Sequence, residues 1–202
     1  MFHKQDILEK VAYLIAKRRE SNSPLNLLQF NFINECLSDS SVCKFEKSNN
    51  IELPDDYRYF ITEIGNGGIG PDYGILSLEE SIIDFKLKNK PKIRLDKNFR
   101  FTDAWNEKWV NYFDWDNELP SLDLVNKYMG VEYINGSLQI SHSGHGCTHL
   151  LIVNGSEKGF IWYDGRADYD GIYPESTANT KRISFEYWYS IWLEDELKKY
   201  GY

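Results

Sequence analysis

The sequence predicts a mixed fold in which helices and strands occupy separate stretches of the chain. Apolar residues recur at helical spacing near the N-terminus. The last third carries short extended runs joined by glycine-containing turns. A final aromatic stripe, again at helical spacing, closes the chain.

The first helix is carried by Ile7, Val11, Leu14, Ile15 and Arg18, with Leu8 and Ala12 widening the stripe. Ser21-Asn22-Ser23-Pro24 ends it, and Ser23-Pro24 suits the start of a second helix with Leu25, Leu28, Phe32, Ile33, Cys36 and Leu37 on one face. Residues 38–41 break the pattern before a short helix with Val42, Phe45 and Glu46, stopped by Asn49-Asn50. An extended Ile51-Glu52-Leu53 leads to Pro54. Proline suits the first turn of a helix, where Asp55 and Asp56 face the positive end of the dipole. Tyr57, Phe60, Ile61 and Ile64 form that helix's buried stripe. Gly65-Asn66-Gly67-Gly68 stops it, because Gly and Asn tolerate positive φ. A turn at residues 69–72, a strand at Gly74-Ile75-Leu76 and a helix start at residues 77–81 follow.

Residues 84–130 are the least regular, and their charge is split. Lys86, Lys88, Lys90, Lys92, Arg94, Lys97 and Arg100 are interrupted only by Asp96; Asp103, Glu107, Asp114, Asp116, Glu118 and Asp123 are interrupted only by Lys108. Trp105, Trp109, Tyr112 and Phe113 have the spacing of an amphipathic helix, and residues 121–129 form a short one ended by Gly130. In the last third, residues 131–134 and 138–141 flank Asn135-Gly136, a two-residue hairpin signal. Residues 149–153 and 160–163 flank a longer loop at 154–159. Gly171-Ile172-Tyr173-Pro174 reads as an edge strand, where proline is tolerated. Ser184 caps the last helix, whose apolar face is Phe185, Trp188, Tyr189, Trp192, Leu193 and Leu197.

The 202 residues suit one domain, with 84–130 as an irregular, partly helical insert. A chain of this size buries roughly 70% of its extended surface, enough for a core without metal or disulfide staples. No apolar run reaches the roughly 18 residues of a membrane helix. The charged start Met1-Phe2-His3-Lys4-Gln5-Asp6 is unlike a signal peptide, and three cysteines, Cys36, Cys43 and Cys147, fit a reducing compartment. A cytoplasmic protein without membrane contact is the expectation. The net charge of −8 argues against direct nucleic-acid binding and favours steering toward a basic partner.

Three motifs could carry chemistry. His142, His145, Cys147 and His149 put borderline metal ligands within eight residues, but with neither the helical His pair nor the paired Cys spacing of known zinc sites. A glycine-bent strand is the preferred reading. Residues 164–175 place Asp164, Asp168 and Glu175 at calcium-loop positions, yet Arg166 puts a cation at the third position and Tyr169 replaces the glycine at the sixth. The lysine row 86, 88, 90 and 92 reads as a solvated edge. No catalytic residue, cofactor or metal ligand is assigned.

Two blocks carry a family resemblance. The first is Phe45-Glu46, Ile51-Glu52-Leu53-Pro54-Asp55-Asp56-Tyr57, Phe60 and Asn66-Gly67-Gly68. The second is Gly146-Cys147, the stretch from Leu150 to Trp162, and Phe185-Glu186-Tyr187-Trp188-Tyr189 with Trp192-Leu193. Together they resemble the SUKH superfamily, named partly for yeast cell-wall-assembly regulators of the Smi/Knr type. The resemblance implies an α+β fold: a mainly antiparallel sheet of about five to six strands, backed by helices at the N-terminus and one at the C-terminus. It also implies a function. Most bacterial relatives resemble immunity proteins of polymorphic-toxin and contact-dependent inhibition systems, binding a cognate toxin, often a nuclease, and blocking it stoichiometrically. Fungal relatives are signalling or cell-wall regulators.

On that basis the expected partner is a basic protein toxin, met by a monomer or weak dimer. Two acidic, aromatic patches are the candidate toxin-binding residues: Asp114, Trp115, Asp116, Glu118 and Asp123, then Asp164, Asp168, Tyr169 and Asp170. The alternatives are a protein-binding adaptor or regulator and, last, a metal-dependent enzyme built on the segment from His142 to His149.

Overall fold

A computed structural model describes residues 2–21, 30–84, 86–87 and 89–202. Helix α1, Lys4–Glu20, buries Ile7, Val11, Leu14 and Arg18, as the spacing predicts, while Ala12 stays exposed. The expected second helix is not there in its described part, and residues 22–29 lie outside the described residues. Residues 30–37 run extended instead. Their backbone bonds go to distant partners: Phe30 N–H to Tyr73 O at 2.9 Å, Asn34 N–H to Gly67 O at 3.1 Å and Leu37 N–H to Ile61 O at 2.9 Å. Ile33 bridges Gly68, where a side chain would meet Phe32 O at 2.4 Å. The apolar spacing was satisfied by a neighbouring segment rather than by a helix.

Helix α2, Asp39–Asn49, starts on the Ser38 hydroxyl, which accepts from Ser41 N–H at 3.2 Å, and stops at the left-handed Asn50. Helix α3, Asp55–Tyr59, follows Pro54 and widens into a π-helical turn, Phe60–Ile64. There the Thr62 hydroxyl donates back to Arg58 O at 3.0 Å. The stretch 77–81 makes a single turn, not a helix.

Among the described residues, four antiparallel strands form the sheet in the order β1 (Ser137–Gly144), β2 (Cys147–Ile152), β3 (Ile161–Asp164), β4 (Ile172–Pro174). The expected five to six strands become four because the flanking segments add single bridges only. Ser141 bridges Ile75, Ile75 bridges Gly68 and Gly68 bridges Ile33 on one side; Ile172 bridges Trp105 on the other.

The β1–β2 hairpin lies elsewhere than Asn135-Gly136. Residues Val131–Ile134 form a 3-10 turn, and Gly136 N–H bonds Arg94 O at 3.0 Å. The tight turn is His145-Gly146. Both residues have positive φ, 49° and 88°, and Gly144 faces Cys147 across it. That is the backbone a primed two-residue hairpin demands. The β2–β3 hairpin falls where predicted, closed by Gly159 N–H to Ile152 O at 2.8 Å.

Between Trp105 and Phe113, Trp105 sits in its extended bridge and Lys108–Tyr112 coil as a 3-10 turn, so the expected amphipathic helix is absent. Helix α4, Leu122–Tyr128, forms as expected on its Ser121 cap.

Helix α5, Phe185–Lys199, lays Phe185, Trp188, Tyr189, Leu193 and Leu197 into the core. There Phe185 and Tyr189 meet Phe2 and Phe60 at ring separations of 4.8–6.2 Å. The Ser184 hydroxyl accepts from Tyr187 N–H at 3.3 Å, and Asp56 Oδ2 accepts from Glu186 N–H at 3.0 Å, tying the start of α3 to the start of α5. Ser184→Ala is expected to lower unfolding free energy by about 1 kcal/mol. A urea titration monitored by tryptophan fluorescence checks this as a lower midpoint at unchanged slope.

Candidate functional site

The site is built on a buried charge cluster. Asp164 ends β3 with no exposed surface. Its two oxygens accept from Arg166 Nε at 2.8 Å and Arg166 Nη2 at 2.9 Å, and it also pairs with Lys86. Asp84, buried beside Gln139, adds the second acid, so two acids and two bases share the space. Burial opposes the charge on Asp164, but Lys86 and Arg166 outweigh it and hold the carboxyl well below the usual range. This corrects two expectations. Asp164 is not on a surface patch, and Lys86 does not belong to a solvated lysine row. Lys88 of that row lies outside the described residues.

Arg166 opens a 3-10 turn, Arg166–Asp168, which delivers Tyr169 in a left-handed conformation with φ 62°. From there the Tyr169 ring reaches the insert. It packs 4.4 Å from Trp115, 6.0 Å from Trp109 and 5.9 Å from Tyr128, the last nearly parallel. Asn106 fixes the contact, its Nδ2 donating to Tyr169 O at 2.7 Å while Tyr128 donates to its Oδ1 at 2.6 Å. Trp115 Nε1 donates to Val110 O at 3.1 Å, which sets its ring. Two patches separated by more than forty residues of chain thus meet as one face.

Asp114, Asp116, Glu118, Asp123, Asp168 and Asp170 are exposed. Asp114 accepts from Asn117, and Asp168 Oδ2 from Cys147 Sγ at 3.4 Å. The structure adds apolar residues that sequence reasoning missed. Tyr112, Leu119 and Leu122 are 87%, 90% and 79% exposed and interleave with the acids. Their alternation with Asp and Glu over residues 112–123 was the available signal. Exposed apolar and aromatic side chains interleaved with carboxylates are suited to a cationic protein surface.

The profile of one protein family matches residues 36–177, a span that includes the whole sheet, the insert and both halves of the face. The chain belongs to the SMI1/KNR4 family (SUKH-1). The resemblance read from the two sequence blocks is therefore borne out, and helices α1 and α5 flank the matched span. Comparison with the curated proteins and with the solved structures gave no match.

In this SUKH chain the histidine segment does not converge. His142 Nδ1 accepts from Gly144 N–H at 2.9 Å, His145 occupies the hairpin turn and Cys147 faces Asp168. Among the described residues, no group of three or more His, Cys, Asp or Glu side chains is placed to hold a metal ion. The calcium-loop pattern is dispersed too, with Asp164 on Arg166 and Glu175 on His149.

His149 is buried between two carboxylates, Nδ1 to Asp72 at 2.9 Å and Nε2 to Glu175 at 3.0 Å, beneath Trp188 and Tyr163. Burial disfavours its charge, but the bonds to Asp72 and Glu175 prevail and raise its pKa above 6.5. A raised folded pKa gives stability that is complete below the unfolded value and lost as pH rises through the folded one. Urea midpoints measured from about pH 6 upward are expected to fall across that window, and His149→Gln removes that slope.

A cleft of about 620 Å³ lies between α2 and the β2–β3 loop. Two of its polar side chains are engaged, Glu46 accepting from Leu53 N–H at 2.9 Å and Asn154 Nδ2 donating to Leu95 O at 3.1 Å. Among the described residues no helix is long and apolar enough to cross a membrane.

Proposed function

We propose that this SUKH-family chain is a non-catalytic, cytoplasmic immunity protein. It binds a cognate bacterial toxin, a basic nuclease of a polymorphic-toxin or contact-dependent inhibition system, and blocks it stoichiometrically. One observation carries the reading: Trp115 and Tyr169 pack 4.4 Å apart, each flanked in the chain by exposed acids, Asp114 and Asp116 for the one and Asp168 and Asp170 for the other, in a chain of net charge −8. Aromatic anchors inside a charged rim are the usual anatomy of a tight interface. A nuclease must present cations to its polyanionic substrate, and acids placed against those cations compete with phosphate.

The test is calorimetry of the purified chain against the C-terminal toxin fragment encoded beside it. One-to-one binding, weakened about tenfold or more between 50 and 300 mM salt, is expected. Absence of binding, together with several weak partners and no protection of intoxicated cells, would favour the adaptor or regulator role instead.

A further inference from the structure

The two acidic patches lie on different parts of the chain, and something must hold them in register. Arg166 is placed to do so. It has no exposed surface, and its guanidinium is shared between two elements. Nε and Nη2 grip both oxygens of Asp164 at the end of β3. Nη1 donates to Tyr128 O and Gly130 O, each at 2.9 Å, at the C-terminal end of α4. Tyr128 closes the last turn of α4, where a cation is the favoured group for the carbonyls, and Gly130 O accepts in addition from Tyr133 N–H at 3.3 Å. The guanidinium also lies over the Tyr133 ring at 5.4 Å.

We propose that Arg166 is the positioning residue of the interaction face: it clamps the insert onto the sheet and so sets Trp115 against Tyr169. The role rests on the reading of that face as the toxin-binding surface. It depends on the planar fork of arginine. An ammonium is a single point of charge and has too few fixed donors to hold a carboxylate bidentately and two carbonyls together. Asn106 is the weaker second link, joining Tyr169 O to the Tyr128 hydroxyl. Tyr169 is three residues beyond Arg166 in the same turn, its N–H donating to Arg166 O at 3.0 Å, so movement of Arg166 moves the anchor ring directly.

Two variants and two readouts test this. Arg166→Lys keeps the charge and loses the fork. The paired change Asp164→Leu with Arg166→Met removes the clamp while leaving Lys86 and Asp84 as a balanced pair. Hydrogen–deuterium exchange is the first readout. In both variants the amides of 104–129 and 166–171 are expected to exchange about tenfold faster or more, with α5 unchanged. Unchanged exchange in the insert, or an equal rise throughout the chain, overturns the proposal.

The second readout is affinity for the toxin fragment. Arg166→Lys is expected to weaken binding about tenfold in the otherwise unchanged chain and to add no further loss in a Trp115→Ala background. Additive losses overturn the positioning role. If the unchanged chain binds no toxin fragment, the immunity reading fails, while the exchange result still decides whether Arg166 is the clamp.

Discussion

Asp164→Asn is expected to lower unfolding free energy by about 3–5 kcal/mol, the effect of stranding buried charge by removing one partner. The carboxylate meets both Arg166 and Lys86, and neither cation has exposed side-chain surface to speak of, at 0% and 2%. The amide keeps the shape and removes the charge, so two cations face Asp84 alone. The pH dependence follows from the depressed carboxyl. Its contribution is complete above the unfolded value near 3.8 and is lost as pH falls from there toward the much lower folded pKa. Urea titrations at pH 7 and across the acid limb check both points. The variant should show the lower midpoint at neutral pH and a flatter decline below about pH 4.

Trp115→Ala is expected to weaken toxin binding by about 2–4 kcal/mol, roughly 30- to 1000-fold, through a faster off-rate. The indole is 42% exposed, yet it is fixed by Val110 O and by the Tyr169 ring, so it enters an interface already ordered. Charge-neutral changes at the rim should behave differently. Asp116→Asn and Asp170→Asn leave the anchor intact and are expected mainly to slow association and flatten its salt dependence. Surface plasmon resonance at two ionic strengths separates the two patterns. The urea midpoint of each variant shows whether the fold is retained.

Much of the frame was legible because local signals and tertiary packing agree there. Ser184 caps the last helix as read, Asn50 stops α2, and the β2–β3 hairpin lies where its loop was read, while the caps at Ser38 and Ser121 were not singled out. The misreadings share a cause. Phe32, Ile33, Cys36 and Leu37 have helical spacing, but their segment found backbone partners at Gly67 and Gly68. Asn135-Gly136 has hairpin chemistry, but Arg94 and Val153 claim Gly136. The real turn, His145-Gly146, was hidden among residues that looked like metal ligands.

The site was half legible. Both patches were proposed from the sequence, and their acids are exposed except Asp164, which is buried against Lys86, far away in sequence. Their meeting through Trp115 and Tyr169 was not legible. It depends on a left-handed Tyr169 and on Arg166 reaching the end of α4, and neither leaves a pattern in local spacing.

The most direct test of the account is an inhibition titration. The nuclease activity of the toxin fragment is followed as increasing amounts of the chain are added, unchanged or carrying Trp115→Ala with Asp168→Asn and Asp170→Asn. Complete inhibition at one equivalent by the unchanged chain is expected, with little inhibition by the triple variant at the same ratio. Equal inhibition by the folded triple variant, or none by the unchanged chain, would contradict the assignment of toxin neutralisation to this face.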